Sequence, residues 1–311
     1  MSYVLEDLVN ALHAKEPALR LERQAVMAAY TTLHLGGPAD VLAHPATPEQ
    51  LQLLLREAAR HQVPVTLMGH GSNTVVRDGG IRGLVIRVCR EMREITVEGS
   101  VIRAQAGAML TALAMAAAEH ELGGLIFASG IPGTVGGGVY MNAGAYGGEM
   151  CQVVTRVEGF DMAGEPFSYG RADMNFGHRY SRLMDEDKVV TYVTCQCPHA
   201  KREELLKEMV ELNRRRAEKQ PLQQPSAGST FKRPRDGYAS ALIDQCGLKG
   251  LSVGGARVSE KHAGFLVNQG GTAADFLALM AKVQTIVYEK TGVMLEPEVR
   301  IVGEDCLVHV L

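Results

Sequence analysis

The chain has no tryptophan, no C-x-x-C pair and no long apolar run. Its longest apolar stretches, such as residues 107–118, sit among glycines and charges, far short of the roughly 20 residues a membrane-spanning helix needs. Cys89, Cys151, Cys195, Cys197, Cys246 and Cys306 show neither paired spacing nor a histidine at zinc distance. Neither a disulfide framework nor a metal knuckle is indicated, and buried thiols in a reducing compartment fit best. Ten scattered histidines add no metal site. A net positive charge is also missing. A formal net charge of -3 with 22% charged residues removes the broad field that nucleic-acid binding requires. The opening M-S-Y-V-L-E-D-L-V-N puts Glu6 and Asp7 where a signal peptide would need an apolar core. The expected location is therefore the cytoplasm, with no membrane partner.

What is abundant is glycine, 34 in 311 residues. The length predicts two or three domains, and so many glycines in a chain with ample core suggest backbone brought close to a bound molecule. Helix and strand signals alternate. Thr47 and Pro48 open a helix with Leu51, Leu54, Leu55 and Ala58 on one face, followed by alternation at Val63, Val65 and Leu67. Leu84, Ile86 and Val88 read as a strand, Glu98 to Ser100 as a hairpin turn, and 109–122 as a helix stopped by Gly123 and Gly124. Residues 151–197 are strand-like, with a turn at Ala163 and Gly164, and 200–219 is a charged helix ended by Pro221. Further helices span 239–246, capped by Gly247, and the segment from T-A-A-D at Thr272 to Gly292. L-E-P-E-V-R-I-V-G forms a last strand that can return to the first domain. There is no internal repeat.

Two glycine loops carry the chemical signal. L-M-G-H-G-S-N-T follows a strand and presents Gly69, His70, Gly71, Ser72, Asn73 and Thr74. Its glycines allow successive N–H groups to converge on an anion, although alone the stretch suits a tight β-turn equally well. Thr74 stands where a dinucleotide fingerprint has its third glycine, and no G-K-[ST] closes a P-loop. The second loop, residues 128–148, has eight glycines in 21 residues. Gly130, Gly133, Gly136, Gly137 and Gly138, with Pro132 between and Ser129 and Thr134 as hydroxyl donors, suit a long phosphate-bearing ligand. Two such loops point to a dinucleotide. A third stretch, Q-P-S-A-G-S-T-F-K-R-P at 224–234, reads on composition as a linker, since it lacks the G-x-S-x-G elbow of a nucleophilic serine.

Seven ordered blocks together resemble the UDP-N-acetylenolpyruvoylglucosamine reductase family. They are T-T-L-H-L-G-G-P-A-D at 31–40, G-H-G-S-N-T at 69–74, S-G-I-P-G-T-V-G-G-G-V-Y-M-N-A-G-A-Y-G-G at 129–148, F-G-H-R-Y-S at 176–181, P-S-A-G-S-T-F-K-R-P at 225–234, A-L-I-D-Q-C-G-L-K-G at 241–250 and L-E-P-E-V-R at 295–300. The resemblance implies an α+β fold: a two-part FAD-binding region of the p-cresol methylhydroxylase/vanillyl-alcohol oxidase type and a C-terminal substrate-binding domain. The expected boundaries are 1–88 joined by 302–311, then 89–210, then 211–301. It further implies non-covalent FAD on the two glycine loops, NADPH as co-substrate, and reduction of UDP-N-acetylglucosamine enolpyruvate in peptidoglycan synthesis by a monomer.

The catalytic trio implied is Arg179, Ser229 and Glu298, with Lys232, Arg233 and Arg300 as substrate contacts. A guanidinium suits a carboxylate on which charge develops, a protonated Glu298 can donate to that carboxylate, and the Ser229 hydroxyl suits proton delivery to carbon. Arg300, two residues beyond Glu298, shares its face on a strand. Arg233 and His178 stand where the family often has asparagine and tyrosine. The insertion that lays a tyrosine lid in the longer subtype is missing, which points to the shorter one. Two rivals remain: an FAD-dependent oxidase of the same fold and a non-catalytic UDP-sugar or nucleotide sensor.

Overall fold

The structure, a computed structural model, describes residues 3–235 and 237–305. Cys306 and the 306–311 part of the expected 302–311 segment lie outside the described residues. Two compact units make up the chain, and their segments interleave. The first draws on Met1–Arg23, Val41–His70 and Gly83–Arg215, and the second on Gln24–Asp40, Gly71–Arg82 and Arg216–Leu311.

In the first unit, helix Pro48–Arg60 begins as expected. The Thr47 side chain accepts the Gln50 amide, and Pro48 fills the first turn, where no N–H is needed. Leu51, Leu54, Leu55 and Ala58 are buried, facing Leu5, Leu8 and Leu12 of a helix at Tyr3–Lys15 that the sequence reading did not anticipate. Strand Val65–Met68 follows and pairs in parallel with Leu84 to Arg87. A five-stranded antiparallel sheet runs in the order Pro166–Gly170, Val154–Asp161, Lys188–Gln196, Val101–Gln105, Ile95–Glu98. The hairpin predicted at 98–100 turns on Gly99 at φ 59°, and the one at 163–164 on Gly164 at φ 80°. Helix Leu110–Glu119 packs Leu110, Leu113 and Ala114 into the same core.

The second unit holds a four-stranded antiparallel sheet in the order Ser226–Ser229, Phe265–Asn268, Ala256–Val258, Ser252–Val253. Helix Ala273–Thr291 opens on a reciprocal capping pair between Thr272 and Asp275 and closes on Gly292 at φ 72°, as the T-A-A-D and glycine signals required. Its Phe276, Leu279 and Val283 form the core with Ile243, Val258 and Leu266. The C-terminal strand Arg300–Val302 pairs in parallel with Thr74–Val76.

Candidate active site

Strand Val65–Met68 delivers Gly69 against Thr134 of the second glycine loop. A Cβ at 69 would lie 2.5 Å from Thr134 Oγ1, so the two loops touch only because residue 69 has no side chain. Gly71 has φ +74°, and a Cβ there would meet the Tyr30 carbonyl at 2.3 Å. Among the described residues, the amides of His70, Gly71 and Ser72 donate to no protein acceptor. Successive N–H groups left in this state beside a left-handed glycine form an anion-binding concavity, which fits a cofactor diphosphate. Burial pushes the His70 pKa down, and Arg87 and Arg90 add to it, so the ring is neutral near pH 7. Its Nδ1 lies 4.0 Å from Cys89 Sγ.

The second loop contains more regular structure than its glycines suggest. Thr134, 2% exposed, caps a short helix at Val135–Tyr140 by accepting the Gly137 amide at 3.3 Å. The amides of Val135 and Gly136 donate to Ala108 and Ala106 carbonyls at 2.7 and 2.8 Å. Gly136 and Gly138 lack side chains because Cβ atoms there would crowd Ala106 and Leu110. The amides of Gly133 and Thr134 meet no protein acceptor among the described residues. Ser129 is buried in the turn Ile126–Gly130 just before Pro132.

Arg179 belongs to the first unit and sits in a two-residue turn. Gly177 N donates to Tyr180 O at 3.0 Å, Tyr180 N donates back to Gly177 O at 3.3 Å, and Arg179 has φ 53°. Its Nη2 donates to Gly144 O at 2.9 Å. His178 is the exposed partner in the turn, and Tyr180 Oη bonds Asp185.

Ser229 and Glu298 belong to the second unit, on neighbouring segments. Phe231 bridges Pro297, Glu298 N donates to Thr230 O at 2.8 Å, and Lys232 N donates to Glu296 O at 2.8 Å. Ser229 is exposed and Glu298 half-buried. Asn73, at the end of the first glycine loop, is bonded to the segment 298–300 through both its side chain and its carbonyl. Its Nδ2 donates to Glu298 O at 3.2 Å, and its carbonyl accepts Arg300 N at 2.9 Å. Lys232 and Arg233 are exposed and engaged elsewhere. Lys232 Nζ is 3.4 Å from Glu296 Oε2, and Arg233 bonds Gly237 O at 3.0 Å while stacking on Tyr238.

Sequence reasoning passed over one recess in this unit. A hollow of about 220 Å³ is lined by Tyr238, Ser240, Asp244, Lys249, Lys261 and His262, among others. Lys249 falls inside the A-L-I-D-Q-C-G-L-K-G block, and that position was the available signal. Among the described residues no cluster of three or more His, Cys, Asp or Glu side chains could hold a metal, and none of the helices is long and apolar enough to cross a membrane.

Two family models match. One, described as a UDP-N-acetylenolpyruvoylglucosamine reductase C-terminal domain, covers residues 220–302, and one for an FAD-binding domain covers 39–169. The UDP-N-acetylenolpyruvoylglucosamine reductase of Caldanaerobacter subterraneus is 46% identical over 98% of this chain and all of that one. That of Levilactobacillus brevis is 46% identical over 93% of this chain and 95% of its own. The crystal structure of the Thermus caldophilus reductase superposes with a TM-score of 0.80 at 37% identity, over 92% of this chain and 100% of that one. Alkyldihydroxyacetonephosphate synthase shares the fold alone, with a TM-score of 0.50 at 16% identity over 64% of this chain and 41% of that one. The α+β fold expected from the sequence, with an FAD-binding region and a C-terminal domain, is thus the one observed. With near full-length relatives at 46% identity and loops that fit the cofactor, the chain belongs to the UDP-N-acetylenolpyruvoylglucosamine reductase family.

Proposed function

We propose that the chain reduces the enolpyruvyl group of UDP-N-acetylglucosamine enolpyruvate to give UDP-N-acetylmuramate in peptidoglycan synthesis, with NADPH as the reductant. FAD, held by the two glycine loops, would supply hydride transfer between NADPH and the terminal carbon of the substrate C=C. The family assignment supports the reaction. The Asn73 junction carries the reading of the residues, because it fastens one end of the cofactor loop to the segment that holds Glu298 and Arg300.

Hydride addition at the terminal carbon leaves negative charge on the neighbouring carbon and its carboxylate. Arg179 can hold that carboxylate through two N–H bonds and stay charged throughout. Glu298, when protonated, can donate to the same carboxylate as it becomes enolic. Ser229 delivers the proton to carbon, and its exposure lets solvent restore the proton afterwards. Lys249 and Lys261 join Lys232, Arg233 and Arg300 as the cations for the substrate diphosphate. The proposed division puts FAD-binding segments at 1–88 and 89–210 and substrate binding at 211–301, with a monomeric, cytoplasmic enzyme of the shorter subtype.

The test is anaerobic. NADPH should bleach the yellow protein, and the UDP-enolpyruvyl sugar should restore its colour. Recovery with oxygen but not with the sugar would make it an oxidase, and a colourless protein unable to take up FAD would make it a sensor. Ser229→Ala should slow the second half-reaction roughly 100- to 10,000-fold and spare flavin reduction. Equal slowing of both halves, or of neither, would remove Ser229 from the mechanism.

A further inference from the structure

We infer that Asn142 is a positioning residue for Arg179, holding the turn from which the guanidinium projects. The inference rests on Arg179 being the carboxylate-holding group proposed above.

Asn142 is 1% exposed, and its side chain is fully committed. The amide donates to Gly177 O at 2.9 Å and to Glu149 Oε2 at 3.1 Å, while Oδ1 accepts the Cys151 amide at 2.9 Å. Gly177 O also accepts the Tyr180 amide, so one carbonyl both closes the Arg179 turn and ties it to Asn142. Arg179 is not glycine, yet it adopts φ 53°. A side-chain-bearing residue holds such a conformation only where its surroundings over-determine it, and such sites cluster where geometry serves function.

The surroundings do so through one short segment. Ser181 Oγ donates to Tyr140 O at 2.7 Å, Asn142 Nδ2 to Gly177 O, and Arg179 Nη2 to Gly144 O. Residues 140, 142 and 144 thus hold the turn beyond, before and at its tip, respectively. The first two ties act on the turn whatever the Arg179 side chain does. Asn142 is the only one of the three segment residues that contributes its side chain, and it too adopts a left-handed conformation, at φ 41°. The segment continues directly from helix Val135–Tyr140, whose cap Thr134 contacts Gly69. Asn142 therefore refers the position of Arg179 to the same frame that sets the glycine loops.

The experiment is a double-mutant cycle read in single turnover on the FAD-loaded enzyme. Asn142→Gly keeps the left-handed backbone and removes the amide. Asn142→Asp keeps the acceptor for Cys151 N and cannot donate to Gly177 O. Each should slow oxidation of the reduced flavin by the UDP-enolpyruvyl sugar roughly 10- to 100-fold, the cost of misplacing a group by about an ångström. Reduction by NADPH should change less than about twofold. In an Arg179→Ala background the same substitutions should cost little more, because the group they position is gone. Full additivity, or equal slowing of both half-reactions, would overturn the inference. So would loss of FAD or of folding in both variants, which would make Asn142 a folding determinant. Arg179→Ala by itself tests the underlying reading: if it leaves the second half-reaction intact, that reading fails independently of the cycle.

Discussion

Gly69→Ala should destabilise this protein through a single contact between the two glycine loops, and the structure indicates how. The new Cβ would lie 2.5 Å from Thr134 Oγ1, where ordinary contact begins at 3.4 Å, so one side must retreat by about 0.9 Å. Thr134 is 2% exposed and has little room, and moving its hydroxyl breaks the cap on helix Val135–Tyr140. Overpacking of this kind costs about 1–3 kcal/mol and a lost cap about 1 kcal/mol, so the variant should lose roughly 2–4 kcal/mol in urea unfolding. FAD titration should weaken in parallel. The geometry also predicts a sign reversal. Thr134→Ala alone should cost about 1 kcal/mol through the cap. Added to Gly69→Ala it should stabilise, because the atom in conflict is removed and the next neighbour, Thr134 Cβ, is already at 3.6 Å. If Thr134→Ala destabilises both backgrounds equally, the contact between the loops is not what requires glycine at 69.

Two further outcomes follow from the same reasoning. Asp78 accepts the amides of Ala273 and Ala274 at 2.8 Å each, capping helix Ala273–Thr291 with a full negative charge at its positive end. Asp78→Ala should cost about 1–2 kcal/mol in urea unfolding, and a change below about 0.5 kcal/mol would show that water replaces the cap. Glu186 is held at a pKa of about 2 by hydrogen bonds from Tyr169, Lys188 and Arg182. A depressed folded-state pKa means that its stabilisation is present above the unfolded value near 4.5 and is lost as pH falls toward 2. Glu186→Gln should therefore flatten the fall of melting temperature across that interval, by a modest amount because the group is solvent-screened. An unchanged slope would assign acid sensitivity elsewhere.

Signals that act over a few residues were legible in the sequence. Thr47 with Pro48, T-A-A-D with Gly292, and Gly99 each mark a boundary through local hydrogen bonding or a left-handed φ, and the structure has each boundary there. Helix Val135–Tyr140 was not legible, because V-G-G-G-V-Y is a poor helix former. Carbonyls of Ala106 and Ala108, nearly thirty residues upstream, fix its first turn. The interleaving of units was hidden for a similar reason. Residues 24–40 and 71–82 carry no composition break, and they join the second unit through contacts such as Thr32 Oγ1 to Ser226 O, 194 positions apart.

The site shows the same division, and Ser229 shows its cause. Strict alternation would put Ser226 and Ser229 on opposite faces of a strand, since they are three residues apart. In the structure Ser226 pairs with Val267 and Ser229 with Phe265, so three steps on one strand match two on the other. One extra residue is accommodated at a bulge, where Gly228 has φ +76° and a Cβ would meet nothing within 4 Å. Conformation, then, and not space, demands the glycine. The bulge returns Ser229 to the face of Ser226, and Ser229 is left exposed while Ala227 is buried. Composition reads this stretch as a linker. The effect of Gly228 is to turn the hydroxyl outward, and that depends on a register set by a strand nearly forty residues away.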